Sequence, residues 1–213
     1  LDNKNIDVNI KSSERKMERE IEESDRKDVT TEKTPLYLAV AKENSKIVQL
    51  LLSNKNIDVN IKSMKYGIEL WMGFGGGNDD IFIDKTALHL AVKKENCEII
   101  KLLLGNNSID TNIKYCSRRT RYDRHGASFD DFEKTTLFMA VEKSNATIVK
   151  LLLDNKNIDI NAKSLFNSFY INEHSGDKDN IYSYAEKYYQ NKWGLKSEIN
   201  NKVKEEEEED DDD

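Results

Sequence analysis

The ten residues NKNIDVNIKS stand at positions 3 to 12 and return unchanged at 54 to 63. Weaker copies follow, NNSIDTNIKY at 106 to 115 and NKNIDINAKS at 155 to 164. Self-similarity at a long, regular period restricts a chain to folds made by stacking one structural unit. Two other motifs travel with the phrase. KTPLYLAV at 33 to 40 is answered by KTALHLAV at 85 to 92 and KTTLFMAV at 134 to 141. KIVQLLL at 46 to 52 is answered by EIIKLLL at 98 to 104 and TIVKLLL at 147 to 153. Thr34, Thr86 and Thr135 stand 52 and then 49 residues apart.

Each motif has a physical reading. Thr34 is suited to cap a helix, and Pro35 to fill the first helical position, where a missing N–H costs nothing. Leu36, Ala39 and Val40 then fall on one apolar stripe. Asn44 and Ser45 interrupt the pattern and cap again, after which Ile47, Val48, Leu51 and Leu52 form a second stripe. Asn54, Gly105 and Asn155 end that second helix, as residues that tolerate left-handed backbone. Neither short helix buries its stripe alone, so the pairs are expected to stack, with Leu102 and Leu151 in the packing between units.

Taken together, KTPLYLAV, IVQLLL and IDVN resemble the ankyrin repeat, whose unit of about 33 residues carries a T-P-L-H-x-A signature; TALHLA at 86 to 91 is its nearest copy. The resemblance implies an all-α repeat solenoid, ankyrin-type helix pairs joined by extended β-hairpin finger loops. It also implies a structural role for Thr34, Pro35, Thr86, Thr135 and His89, the histidine by hydrogen bonding between units. One departure stands out. From Asn9 to Thr34, Asn60 to Thr86 and Asn112 to Thr135 the gaps are 25, 26 and 23 residues, where an ordinary unit needs about 8. The resemblance places the extra residues at the tips of the fingers. Expected boundaries are 1–11 for the end of a truncated repeat, 12–33 for a charged finger, 34–163 for three repeats with insertions at 64–84 and 115–133, 164–204 for an atypical capping repeat, and 205–213 for a disordered acidic tail.

The inserted segments differ in chemistry. The first, within 12–33, is nearly all charged and reads as a solvated helix or as disorder. The second gathers Tyr66, Trp71, Met72, Phe74 and Phe82 around glycines, and aromatic residues anchor protein interfaces. The third concentrates Arg118, Arg119, Arg121 and Arg124, donors that grip carboxylate or phosphate. These nine residues are the candidate partner-binding set. Gly73, Gly75, Gly76 and Gly77 do not complete a dinucleotide-binding GxGxxG, because Asn78 takes its last position. Cys116 and His125 share a loop but lack an orienting third group.

Composition narrows the function classes. Two cysteines without a CxxC partner and three histidines give neither a disulfide framework nor zinc-ligand spacing. No apolar run is long enough to cross a membrane, and no signal segment opens the chain, so the expected place is the cytoplasm or nucleus. The net charge of −7 is carried by the last nine residues, EEEEEDDDD, which leave the rest slightly basic. Leu1 aligns with Leu52 and Leu153, the last leucine of a second helix, so either further repeats are expected to precede it or the first insertion is expected to shield the open face of the first full unit. The resulting expectation is a non-catalytic scaffold without cofactor or metal, binding another protein on the concave face of first helices and fingers. Two alternatives stay open: an ankyrin arm of a larger enzyme or membrane-linked protein, and an anion or nucleic-acid binder acting through Arg118 to Arg124.

Overall fold

The computed structural model describes residues 6–19, 26–71, 77–123 and 126–172. By its contacts the chain divides into one unit of residues 1–124 with 128–170 and another of 125–127 with 171–213. Apart from residues 126, 127, 171 and 172, the elements that follow belong to the first. β1 (Ser12–Arg19) and β2 (Arg26–Lys33) lead into α1 (Pro35–Ala41) and α2 (Ser45–Leu52). β3 (Ser63–Trp71) and β4 (Gly77–Lys85) lead into α3 (Ala87–Lys94) and α4 (Cys97–Leu104). β5 (Tyr115–Asp123) and β6 (Gly126–Lys134) lead into α5 (Thr136–Glu142) and α6 (Ala146–Leu153), and β7 (Leu165–Asn172) follows. The region expected as a capping repeat and the acidic tail lie outside the described residues beyond position 172.

Every helix opens on a side-chain cap. Thr34, Thr86 and Thr135 accept the N–H of Tyr37, His89 and Phe138 at 3.1, 3.4 and 3.3 Å. Asn44, Asn96 and Asn145 do the same for Ile47, Ile99 and Ile148 at 3.0, 3.0 and 3.2 Å. Each satisfies a donor that the helix itself leaves bare. The left-handed residues are not where the sequence reading put them. Gly105 has an ordinary φ of −73°, and the positive φ angles of non-glycine residues fall in the turn between paired helices, at Glu43, Glu95 and Ser144 (55°, 59° and 54°). A side chain there costs about 1 kcal/mol or more. Glu43 and Glu95 offset it by reaching the next unit: Glu43 accepts from Lys94 and Asn96 at 2.7 and 3.4 Å, and Glu95 from Lys143 and Asn145 at 2.7 and 2.9 Å.

Burial follows position in the stack. In the middle unit all six residues from Ala87 to Val92 are buried, with Ile99, Ile100 and Leu103 of α4. In the first unit α2 buries only Val48 fully, and Ile47 and Leu50 stay 46% and 72% exposed. Equivalent residues differ because, among the described residues, the middle unit alone has a helix pair packed on both sides. The register of α4 and α6 corrects the expected one by a residue: Leu103 and Leu152 are fully buried, whereas Leu102 and Leu151 are partly so.

The repeated phrase is a clamp. The carboxamide of Asn9 donates to the carbonyl of Asn56 at 2.7 Å and accepts the N–H of Asp58 at 2.8 Å. Asn60 does this to Ser108 and Asp110 at 2.8 and 2.9 Å, and Asn112 to Asn157 and Asp159 at 2.7 Å each. One side chain thus satisfies a backbone donor and acceptor of the following unit. The phrase's lysine ties down the finger that follows it: Lys11 to Glu32 at 3.5 Å, Lys62 to Asp84 at 2.9 Å and Lys114 to Glu133 at 3.9 Å.

The fingers overturn the expected fold class. The chain is not an all-α solenoid with looping fingers, because the strands form one seven-stranded antiparallel sheet in the order β1 to β7, and they hold more residues than the six helices. Fingers pair within themselves, Lys16 opposite Val29, and also with each other across a helix pair, Val29 opposite Gly67 and Phe82 opposite Arg118. The charged first finger is a hairpin, neither helix nor disorder, held across its strands by Arg15 on Asp28 at 2.8 Å and Lys33 on Glu14 at 3.7 Å. Gly67 has φ +153°, and a Cβ there would lie 2.1 Å from the carbonyl oxygen of Asp28. Only glycine fits that junction between two fingers.

Two outcomes test this description. Leu103→Ala removes a fully buried side chain and is expected to cost about 2–5 kcal/mol. Leu102→Ala should cost less than half as much in the same urea titration. The second concerns His89. Its Nδ1 accepts from the Thr86 hydroxyl at 2.7 Å and the Thr86 N–H at 3.3 Å, so the ring is neutral. Burial, with Lys62 next, pushes its pKa down from 6.5 to about 3. The unfolded chain therefore takes up a proton below pH 6.5 that the folded chain refuses. Stability is expected to fall as pH drops from 6.5 towards 3, by up to about 1.4 kcal/mol per unit. His89→Gln should remove that slope from unfolding free energies measured across the same range.

Candidate interaction surface

Alternation along a strand sends successive side chains to opposite faces, and side-chain contacts fix which face is which. Tyr115 meets the His89 ring of α3 edge-on at 5.4 Å and Phe132 at 5.5 Å. Lys134 lies 5.5 Å from the Phe138 ring and bonds Glu142, both on α5. Tyr115, Phe132 and Lys134 therefore belong to the inner face, which looks toward the first helix of each pair. With them, by register, go Lys65, Ile81, Ile83, Lys85 and Arg119. Tyr66, Phe82, Asp84, Cys116, Arg118 and Asp131 occupy the outer face.

The candidate residues are thereby separated. Tyr66 sits opposite Phe82, and Phe82 opposite Arg118, all on the outer face. Arg119 and Arg121 are on the inner face, Arg121 exposed. Trp71 ends β3, with its side chain outside the described residues, and Met72, Phe74 and Arg124 lie outside them altogether. Arg118 is 6% exposed. Its guanidinium is 5.1 Å from the Phe82 ring centre and 3.7 Å from the Asp131 carboxylate, itself buried. A charge so enclosed holds strands together. Cys116 beside it is a free, buried thiol whose pKa burial pushes up to about 12, despite the opposing pull of Arg118. A thiol held that firmly protonated is not a nucleophile.

Along the inner face, the last residue of β2, β4 and β6 is a lysine just before the capping threonine: Lys33, Lys85 and Lys134. The outer two are neutralised, Lys33 by Glu14 and Lys134 by Glu142 at 2.6 and 2.9 Å. Lys85 instead lies 4.7 Å over the Tyr115 ring. Sequence reasoning passed over this row, although setting KTALHLAVKK on KTTLFMAVEK places Lys93 against Glu142. Leu38 and Phe138, exposed on first helices, add apolar area. Among the described residues no group of His, Cys, Asp and Glu is placed to hold a metal ion, and no helix is long and apolar enough to cross a membrane.

Removing one partner of a buried pair leaves an uncompensated charge. Arg118→Ala is expected to lower stability by about 3 kcal/mol, whereas Arg121→Ala, on an exposed side chain, should change it by less than about 0.5 kcal/mol. Thermal denaturation of both variants checks the difference.

A family model of ankyrin repeats, in three copies, matches residues 19–115 and 82–164. No curated protein and no solved structure matches the chain.

Proposed function

The chain belongs to the ankyrin repeat family, whose members are generally non-catalytic protein-interaction modules, and from that premise we propose that it holds a protein partner on the inner face of first helices and fingers. The observation that carries the reading is the sheet. Three elongated fingers are joined by backbone hydrogen bonds, so their inserted residues form one continuous platform in place of three separate loops. A preformed platform loses little conformational freedom on binding. Lys33, Lys85 and Lys134 line its base, and Leu38 and Phe138 supply exposed apolar contacts beside them. No catalytic role is assigned: the buried thiol of Cys116 is held protonated and the imidazole of His89 is shut inside the stack.

A photo-crosslinking amino acid at Phe138 or Lys33 tests the assignment against one at Leu50 or Lys101, which are exposed on second helices. Crosslinks to a captured partner are expected from the first pair and not from the second. Equal yields from both pairs would refute the inner face as the binding surface.

A further inference from the structure

The lysine row is interrupted in its middle. The first and third units each place a glutamate on the row lysine, Glu14 from the facing strand and Glu142 from the first helix. The second unit has a lysine at both equivalent positions. Lys65 stands two residues beyond the strand partner of Lys85, as Glu14 stands two beyond that of Lys33. Lys93 stands seven residues after Thr86, as Glu142 stands seven after Thr135. The carboxylate of Asp84, next in sequence, points to the other face, where it takes the ammonium of Lys62 at 2.9 Å and the N–H of Cys116 at 2.6 Å. Among the described residues no carboxylate lies within ion-pair distance of Lys85, a half-buried ammonium over the Tyr115 ring, and exposed Lys93 takes on α3 the position that Glu142 has on α5.

We propose that Lys85 and Lys93 form a receptor for a carboxylate of an acidic segment of the partner protein, taking the place that Glu142 fills on Lys134. The proposal rests on the inner-face reading above and names the partner's chemistry. An ammonium that is partly desolvated and faces a like charge gains more from an incoming carboxylate than a fully hydrated one does. Burial, then the charge of Lys93, lowers the pKa of Lys85 to about 8, against a smaller opposing pull from Asp84. A carboxylate set between the two ammonium groups relieves both effects. Lys33 and Lys134, already paired, have no such gain to offer, so an acidic ligand is directed to the middle of the row and its register along the face is set there.

A fluorescein-labelled oligoglutamate peptide is titrated with the full chain by fluorescence anisotropy, at low and at physiological ionic strength. Oligoglutamine and oligothymidylate serve as the neutral and nucleic-acid probes. Lys93→Glu, which installs the third unit's residue, should weaken oligoglutamate binding about tenfold or more, and Lys85→Met about fivefold. Lys134→Met and Lys101→Glu, the latter on the other side of the stack, should change it less than about twofold. The chosen side chains are exposed or half-exposed, and circular dichroism confirms folding of each variant. Equal losses in all four variants mean diffuse charge and overturn the site. So does tighter binding of oligothymidylate with the same pattern of losses, or no oligoglutamate binding at all. In these cases the inner-face reading is still decided separately, by the crosslinks from Phe138.

Discussion

A helix of seven or eight residues does not persist by itself in water, because nucleation is unfavourable and so short a helix forms few bonds to offset it. All six helices among the described residues are of that length. Each exists because its apolar stripe is covered by a helix of an adjacent unit, and the middle unit, covered twice, buries Ala87 to Val92 of α3. Side-chain caps at both helices of every pair reduce the same deficit from the polar side. The fold is therefore a chain of nearest-neighbour contacts, and its stability is shared between units instead of residing in one core.

Nearest-neighbour packing leaves the spacing between units to be set, and three recurring polar contacts set it. The asparagine carboxamide bridges to the following unit's backbone, glutamate in the strained interhelical turn receives a lysine and a cap asparagine, and the phrase lysine ties down the base of its finger. Packed helices stand about 8–10 Å apart, and two strands of a sheet occupy about the same width at 4.7–4.9 Å each. One hairpin per helix pair is thus commensurate with the stack. Once the units are held at that distance, the last strand of one finger lies beside the first strand of the next, and long fingers fuse into a sheet with no further adjustment than a glycine at position 67.

Fusion changes what the insertions present. As separate loops, the aromatic and arginine clusters would be free to converge on one ligand. As strands in fixed register they alternate, so Tyr66, Phe82 and Arg118 face one way and Arg119 and Arg121 the other. The outer face uses Arg118, Asp131 and Phe82 to hold its strands. The inner face carries the lysine row, whose central member lacks the glutamate that its neighbours have.

The helix pairs were legible in the sequence, because Thr34 with Pro35, Asn44 and the stripe of Leu36, Ala39 and Val40 act over one or two turns, and local spacing determines their effect. The asparagine phrase was legible as a repeat, though not as a clamp. The fingers were legible as hairpins through the family resemblance, and not as one sheet. SSERKMER is charged on both faces and shows no apolar alternation, and the pairing partner of Val29 is Gly67 in another unit's insertion. Left-handed backbone was expected at glycine and asparagine and fell on Glu43 and Glu95, because their ion pairs exist only between stacked units. The sequence by itself determined the unit, its caps and its stripes, which depend on neighbours along the chain. The tertiary structure alone decided the sheet, its two faces and the lysine left without a carboxylate among the described residues, because hydrogen bonds between strands and charges across units depend on neighbours in space.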